Sequence, residues 1–182
     1  MPVLCRVFLC TVEMETEAMA ESGSFADFYT ATVDRLLGQL FPVTGDLHEA
    51  EEVVQEAFAR ASVRWSWLRD YDVPEAWVRR VAMNLAADRA RRLRRQARAM
   101  LRLSPPPAVP PISVEALALA QALRTLPVRQ RQVIVLHHLA DLPIEEVART
   151  LAIRDGTVKS LLARGRRALA AELADPQEVR HP

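Results

Sequence analysis

Apolar residues recur along the chain at intervals of three and four, and the alternation that a half-buried strand needs is absent. Ser24 precedes a run with apolar positions Phe25, Phe28, Val33, Leu36, Leu37 and Leu40, which predicts a capped helix. Asp46, followed by Glu49, has capping-box spacing with Asp in the Ser/Thr place. The helix it opens sets Ala50, Val53, Val54, Ala57, Phe58 and Ala61 on one face. Pro74 suits a first turn and starts a third helix carrying Trp77, Val78, Val81 and Leu85. Ser113, Pro127, Pro143 and the Asp155-Gly156 pair mark four more starts. The expected fold class is all-α.

Proline divides these helices into two groups. Five of the seven residues from Pro105 to Pro111 are proline, which removes backbone donors and fixes φ, so an extended linker is expected. The predicted organisation is an extension over 1–23, a helical domain over 24–102, a Pro-rich linker over 103–112, a second helical domain over 113–173 and a tail over 174–182. Each domain is small and is expected to lean on a partner for part of its order. In the second, Ile144 to Leu161 reads as two short helices joined by a tight turn. Val147, Leu151, Ile153, Val158 and Leu161 supply the shared core, and Ala148 lets the helices cross closely. That is helix-turn-helix spacing. Its second helix would expose Thr157, Lys159, Ser160, Ala163, Arg164 and Arg167, with amides at its N-terminus free for a phosphate. An ordinary helical hairpin with a solvated basic face is the competing reading.

Charge changes the picture once it is resolved along the chain. Lys+Arg number 24 against 23 Asp+Glu, a net charge of +1 that as a total argues against a nucleic-acid binder. The distribution reverses that argument. Residues 1–73 sum to −8, residues 74–102 to +7 and residues 142–171 to +3, so two differently charged partners are implied. Composition also excludes classes. Five glycines and the single Lys159 cannot build a phosphate-cradling loop, which removes nucleotide enzymes. Cys5 and Cys10 cannot form a disulfide framework. Val3 to Val12 resembles a signal core only loosely, since Arg6 interrupts it and Glu13, Glu15 and Glu17 follow. A cytoplasmic protein is expected, with Met14 or Met19 as alternative starts.

Three constellations could carry function. Trp65 to Tyr71 precedes a helix with nine arginines (Arg79, Arg80, Arg89, Arg91, Arg92, Arg94, Arg95, Arg98 and Arg102) spread nearly all round it. Arginines give salt-sensitive phosphate affinity, and adjoining aromatics can stack unpaired bases. Trp65 and Trp77 are expected in the core, Trp67 and Tyr71 outside it. The second constellation is the outward side of the Asp46 helix, with Glu49, Glu51, Glu52, Gln55 and Glu56. It is either a solvated face or a dock for a basic protein partner. The third, the His137-His138 pair, is not expected to face one metal, because helical neighbours diverge by about 100°.

These residues resemble the extracytoplasmic-function sigma factors of the sigma-70 family. The matching segments are Gly45 to Phe58, Pro74 to Asp88, and Leu126 to Leu136 continuing through Gly156 to Ser160. The resemblance implies a bacterial sigma factor, not an enzyme, that binds core RNA polymerase, recognises the minus-thirty-five and minus-ten elements and stabilises melted DNA. It implies polymerase binding by Glu52, Gln55, Glu56 and Phe58. It implies capture of a flipped minus-ten base by the loop Ser66–Val73, with Trp67 and Tyr71. Trp77, Asn84, Asp88, Arg91 and Arg92 would contact the same element. Arg154, Thr157, Lys159, Ser160, Arg164 and Arg167 would read the minus-thirty-five element. The implied partners are core polymerase, promoter DNA and an anti-sigma factor. No catalytic residue, metal, cofactor, small-molecule substrate or membrane contact of its own is expected. Three positions depart from the family pattern: Leu161 stands where Arg is usual, Gly165 where Ala is common, and Ala152 where the turn usually has Gly. A stand-alone helix-turn-helix regulator, or a helical decoy without promoter activity, are the alternatives.

Overall fold

The first two helices begin where a short polar side chain takes a free amide. In the computed structural model, which describes residues 24–99 and 114–174, Ser24 Oγ accepts from the Asp27 amide at 3.2 Å and opens α1, Phe25–Thr44. Asp46 accepts from the Glu49 amide at 2.8 Å and opens α2, Leu47–Ser62. Only half of a capping box forms, because the Asp46 amide donates to Thr44 Oγ1 and not to Glu49. A single turn, α3 (Trp65–Leu68), occupies part of the expected loop, and Pro74 is the first residue of α4, Pro74–Ala99. The second half holds α5 (Val114–Arg124), α6 (Val128–Ile134), a π turn (Val135–Leu139), α7 (Ile144–Leu151) and α8 (Asp155–Ala174). The described residues are helical throughout, with turns between. The extension over 1–23, the linker over 103–112, Ser113 and residues 175–182 lie outside the described residues.

The first bundle packs α1, α2 and α4 around aromatic rings. Trp65 stacks on Phe28 with centroids 4.9 Å apart, and Phe58 meets the Tyr29 ring edge-on at 4.8 Å. Such pairs add to area burial by about 0.5–1.5 kcal/mol each. The second bundle has no ring of this kind. Val133, Leu136, Val147, Leu151, Val158 and Leu162 fill it instead. A Cβ on Gly165 would lie 2.6 Å from Ile134 Cδ1, so a side chain there would require the end of Ile134 to shift where α6 meets α8.

The two bundles share one continuous core. Helix α1 packs on α5 and α6, and α4 packs on α6 and α7. The partner on which each small half leans is, in this structure, the other half. The π turn was not expected. It brings the His137 and His138 rings to 4.8 Å, because a wider turn separates neighbours by a smaller angle. Among the described residues, no group of three His, Cys, Asp or Glu could hold a metal.

Candidate nucleic-acid interface

The helix-turn-helix is built on a Schellman motif. The Ile153 amide donates to Ala148 O (3.0 Å) and the Ala152 amide to Arg149 O, with Ala152 left-handed at φ 54°. A side chain there is strained, which explains why glycine is the usual residue. Arg154 O then accepts from the Thr157 and Val158 amides and launches α8. Val158 and Leu162 turn inward, and Arg154, Thr157, Lys159, Arg164 and Arg167 are exposed. Ser160 is half-buried and its hydroxyl donates to Thr157 O at 2.9 Å. Arg167 bonds back to Ala163 O at 3.3 Å. Leu161 is half-buried against the core, so the departure from Arg adds packing at the edge of the exposed basic face.

The aromatic segment divides as expected. Trp65 and Leu68 point into the ring cluster, while Trp67 is 50% exposed and Tyr71 47%. Their rings lie 4.5 Å apart, tilted by 58° to each other. On α4, Trp77, Asn84, Asp88 and Arg91 recur at helical spacing along one line. Trp77 is half-buried under the Arg64 guanidinium, 6.0 Å from its centroid. Asn84 is exposed, Asp88 pairs with Arg91, and Arg92 is exposed to one side. The arginines are not all outward. Arg79 is buried, bonded to Gln39 Oε1 (3.1 Å) and Glu75 Oε1 (2.6 Å), because the first half of α4 is a core helix.

The acidic face is more self-satisfied than its sequence suggests. Glu52 bridges to Arg89 at 2.5 Å and to His48 at 3.2 Å, and Glu56 to Arg60 at 2.9 Å. Gln55 is exposed beside them. Phe58 requires a correction: at 0% exposure among Phe25, Phe28 and Tyr29 it cannot touch a partner, and it serves to seat α2. Burial raises the Glu49 carboxyl above its ordinary range, more than Arg89 and Arg131 lower it. Arg60, the partner of Glu56, escaped sequence reasoning, and Arg89, read there as one of the phosphate-binding arginines, is the partner of Glu52. The four-residue spacing of Glu56 and Arg60 was the one local signal.

Residues 28–96 match the sequence family Sigma-70 region 2, and residues 116–169 match Sigma-70, region 4. The RNA polymerase sigma-E factor of Streptomyces coelicolor is 32% identical over 157 residues, covering 85% of this chain and 89% of that protein. The chain belongs to the extracytoplasmic-function sigma factors of the sigma-70 family. The ECF RNA polymerase sigma factor SigW of Bacillus subtilis is 30% identical, covering 85% of this chain and 91% of its own. A solved structure of sigma factor RpoE with the anti-sigma factor NepR, from Bartonella quintana, shares the fold. Its TM-score is 0.69 at 21% identity, over 84% of this chain and 98% of that one.

This sigma factor therefore directs transcription initiation and is a non-enzymatic subunit; sigma factors bind core polymerase and DNA. A match to region 2 as well as region 4 decides against a stand-alone helix-turn-helix regulator, which needs only the second. Among the described residues, no helix is long and apolar enough to cross a membrane.

Proposed function

We propose that promoter recognition is split between two chemically different surfaces, with polymerase docking on a third. Helix α8 reads the minus-thirty-five duplex through Arg154, Thr157, Lys159, Ser160, Arg164 and Arg167. Trp67 and Tyr71 stack a base of the melted minus-ten strand, and Asn84, Asp88, Arg91 and Arg92 hold its backbone and edges beside them. Glu52, Gln55 and Glu56 form the polymerase-docking face, with Phe58 supporting it from within. Unpairing is then driven by binding energy, since the flipped base exchanges one stack for another.

The observation that carries this reading is the exposed Trp67–Tyr71 pair beside an arginine-rich helix. Supported by the family, the protein works in the cytoplasm with polymerase, and an anti-sigma factor is its expected inhibitor. Run-off transcription with purified core polymerase tests the assignment. Added chain should yield discrete promoter-dependent transcripts. DNA binding without transcripts would support the decoy instead.

A further inference from the structure

Helix α4 meets two different surroundings. At about 100° per residue, Ala86, Ala90 and Leu93 lie roughly opposite the line of Trp77, Asn84, Asp88 and Arg91, with Arg94 at the edge between them. Together with Val43 of α1, these three apolar residues wall a cleft of about 320 Å3. Its charged wall is assembled from distant parts of the chain: Arg94 on α4, Arg124 on α5, Arg131 on α6, and Asp46 with Glu49 at the start of α2. Three guanidiniums thus stand against two carboxylates.

These charges do not neutralise one another. Among the described residues, no ion pair joins the three arginines to Asp46 or Glu49. Asp46 uses a carboxylate oxygen on the Glu49 amide at 2.8 Å. Arg131, 8% exposed, donates Nη1–H to Val43 O at 2.6 Å, and its Nε is buried with no partner among the described residues. Arg124 donates one N–H to Gly45 O at 3.2 Å, and Arg94 makes no hydrogen bond or ion pair among the described residues. Each guanidinium carries five donors in a planar fork, so most donors around the cleft have no acceptor there. Burial first, and then the like charges of Arg94 and Arg124, lower the Arg131 pKa more than Glu49 raises it. Burial also raises the Glu49 carboxyl, which favours its neutral form, a hydrogen-bond donor.

We propose that this cleft binds a small phosphorylated molecule, with the phosphate held by Arg94 and Arg124 in front of Arg131 and the body laid on Val43, Ala86, Ala90 and Leu93. A phosphate brings three terminal oxygens and up to two negative charges to three forks, which a single carboxylate cannot match. The volume is at the lower end of the roughly 300–1,000 Å3 typical of small-ligand sites, more than inorganic phosphate fills and suited to a nucleoside monophosphate. None of the three arginines has a part in the promoter or polymerase roles proposed above, so the site stands or falls independently of them.

Calorimetric titration of the full chain with adenosine monophosphate, inorganic phosphate and adenosine tests this. The nucleotide should bind at least about tenfold more tightly than either of its halves. Arg94→Gln with Arg124→Gln, both exposed, should weaken it at least about tenfold, the loss expected of two charge-assisted contacts. Arg94→Gln alone should weaken it about threefold or more and leave the melting temperature of the unliganded chain unchanged, since that side chain holds nothing in the fold. Glu49→Gln keeps a donor, removes the competing charge and should tighten binding about twofold or more. Trp67→Ala with Tyr71→Ala should leave nucleotide binding as it was. Binding lost in the aromatic pair and kept in the arginine pair would seat the nucleotide on the exposed rings and overturn the site. No binding to the parent chain, equal affinity in every variant, or affinity no greater than that of inorganic phosphate would overturn it as well.

Discussion

The two regions proposed to face DNA are made from opposite materials. Around α3, a neutral aromatic pair adjoins a cluster of buried and half-buried rings: Trp65 packs against Phe25 and Phe28, while Trp67 and Tyr71 face outward. On α8, the outward groups are Lys159 and Arg164, with no ion-pair partner among the described residues, carried on a bundle without such rings. Stacking depends little on salt, whereas a guanidinium on phosphate acts by releasing counterions and weakens steeply with salt. On the proposed assignment, one protein would combine a salt-tolerant grip suited to single strands with a salt-sensitive grip suited to duplex.

The comparison breaks most readily at the aromatic pair. Trp67→Ala with Tyr71→Ala should cost promoter opening about 1–3 kcal/mol per stacked base, with an unchanged salt slope, as read by permanganate footprinting across a salt series. Next comes Arg164→Ala. It should cost about 1–3 kcal/mol if the side chain reaches a base edge, and should flatten the salt slope of minus-thirty-five binding by about one unit. Ala152→Gly sharpens the contrast from the folding side. Removing the strained left-handed Cβ should stabilise the helix-turn-helix by about 1 kcal/mol in thermal unfolding, with promoter preference intact. Glu56→Gln breaks a half-exposed bridge to Arg60 and should change stability by at most about 0.5 kcal/mol, so any larger loss of polymerase co-purification reports docking.

The smallest effect is a pH slope. Because burial raises the Glu49 pKa, the folded state binds the proton more tightly than the unfolded state. Stability should therefore fall as pH rises from the ordinary carboxylate range through the raised value. Glu49→Gln should flatten that slope in denaturant titrations at stepped pH.

Legibility in the sequence followed locality. Ser24, Asp46 and Pro74 start helices through contacts within one turn, and those starts were readable. The outward placing of Trp67 beside the inward Trp65 was readable too, from the polar neighbours of Trp67 in a segment expected as a loop. What escaped depends on distant residues. Nothing near Phe58 announces that the rings of Phe25, Phe28 and Tyr29 pack against it, and Glu52 meets Arg89 across 37 positions. The carbonyl that receives Arg131 lies 88 positions away. The π turn at Val135 to Leu139 likewise has no local sequence signature, and with it the approach of the two histidine rings was missed.

The most direct test sets the two regions against each other in one assay. Run-off transcription with core polymerase would compare the Trp67→Ala, Tyr71→Ala pair and Arg164→Ala on fully duplex and on premelted minus-ten templates. The aromatic variant should fail on duplex and lose less on the premelted template. The Arg164 variant should be impaired alike on both. Equal loss by the aromatic variant on the two templates would contradict the division between single-strand capture and duplex reading.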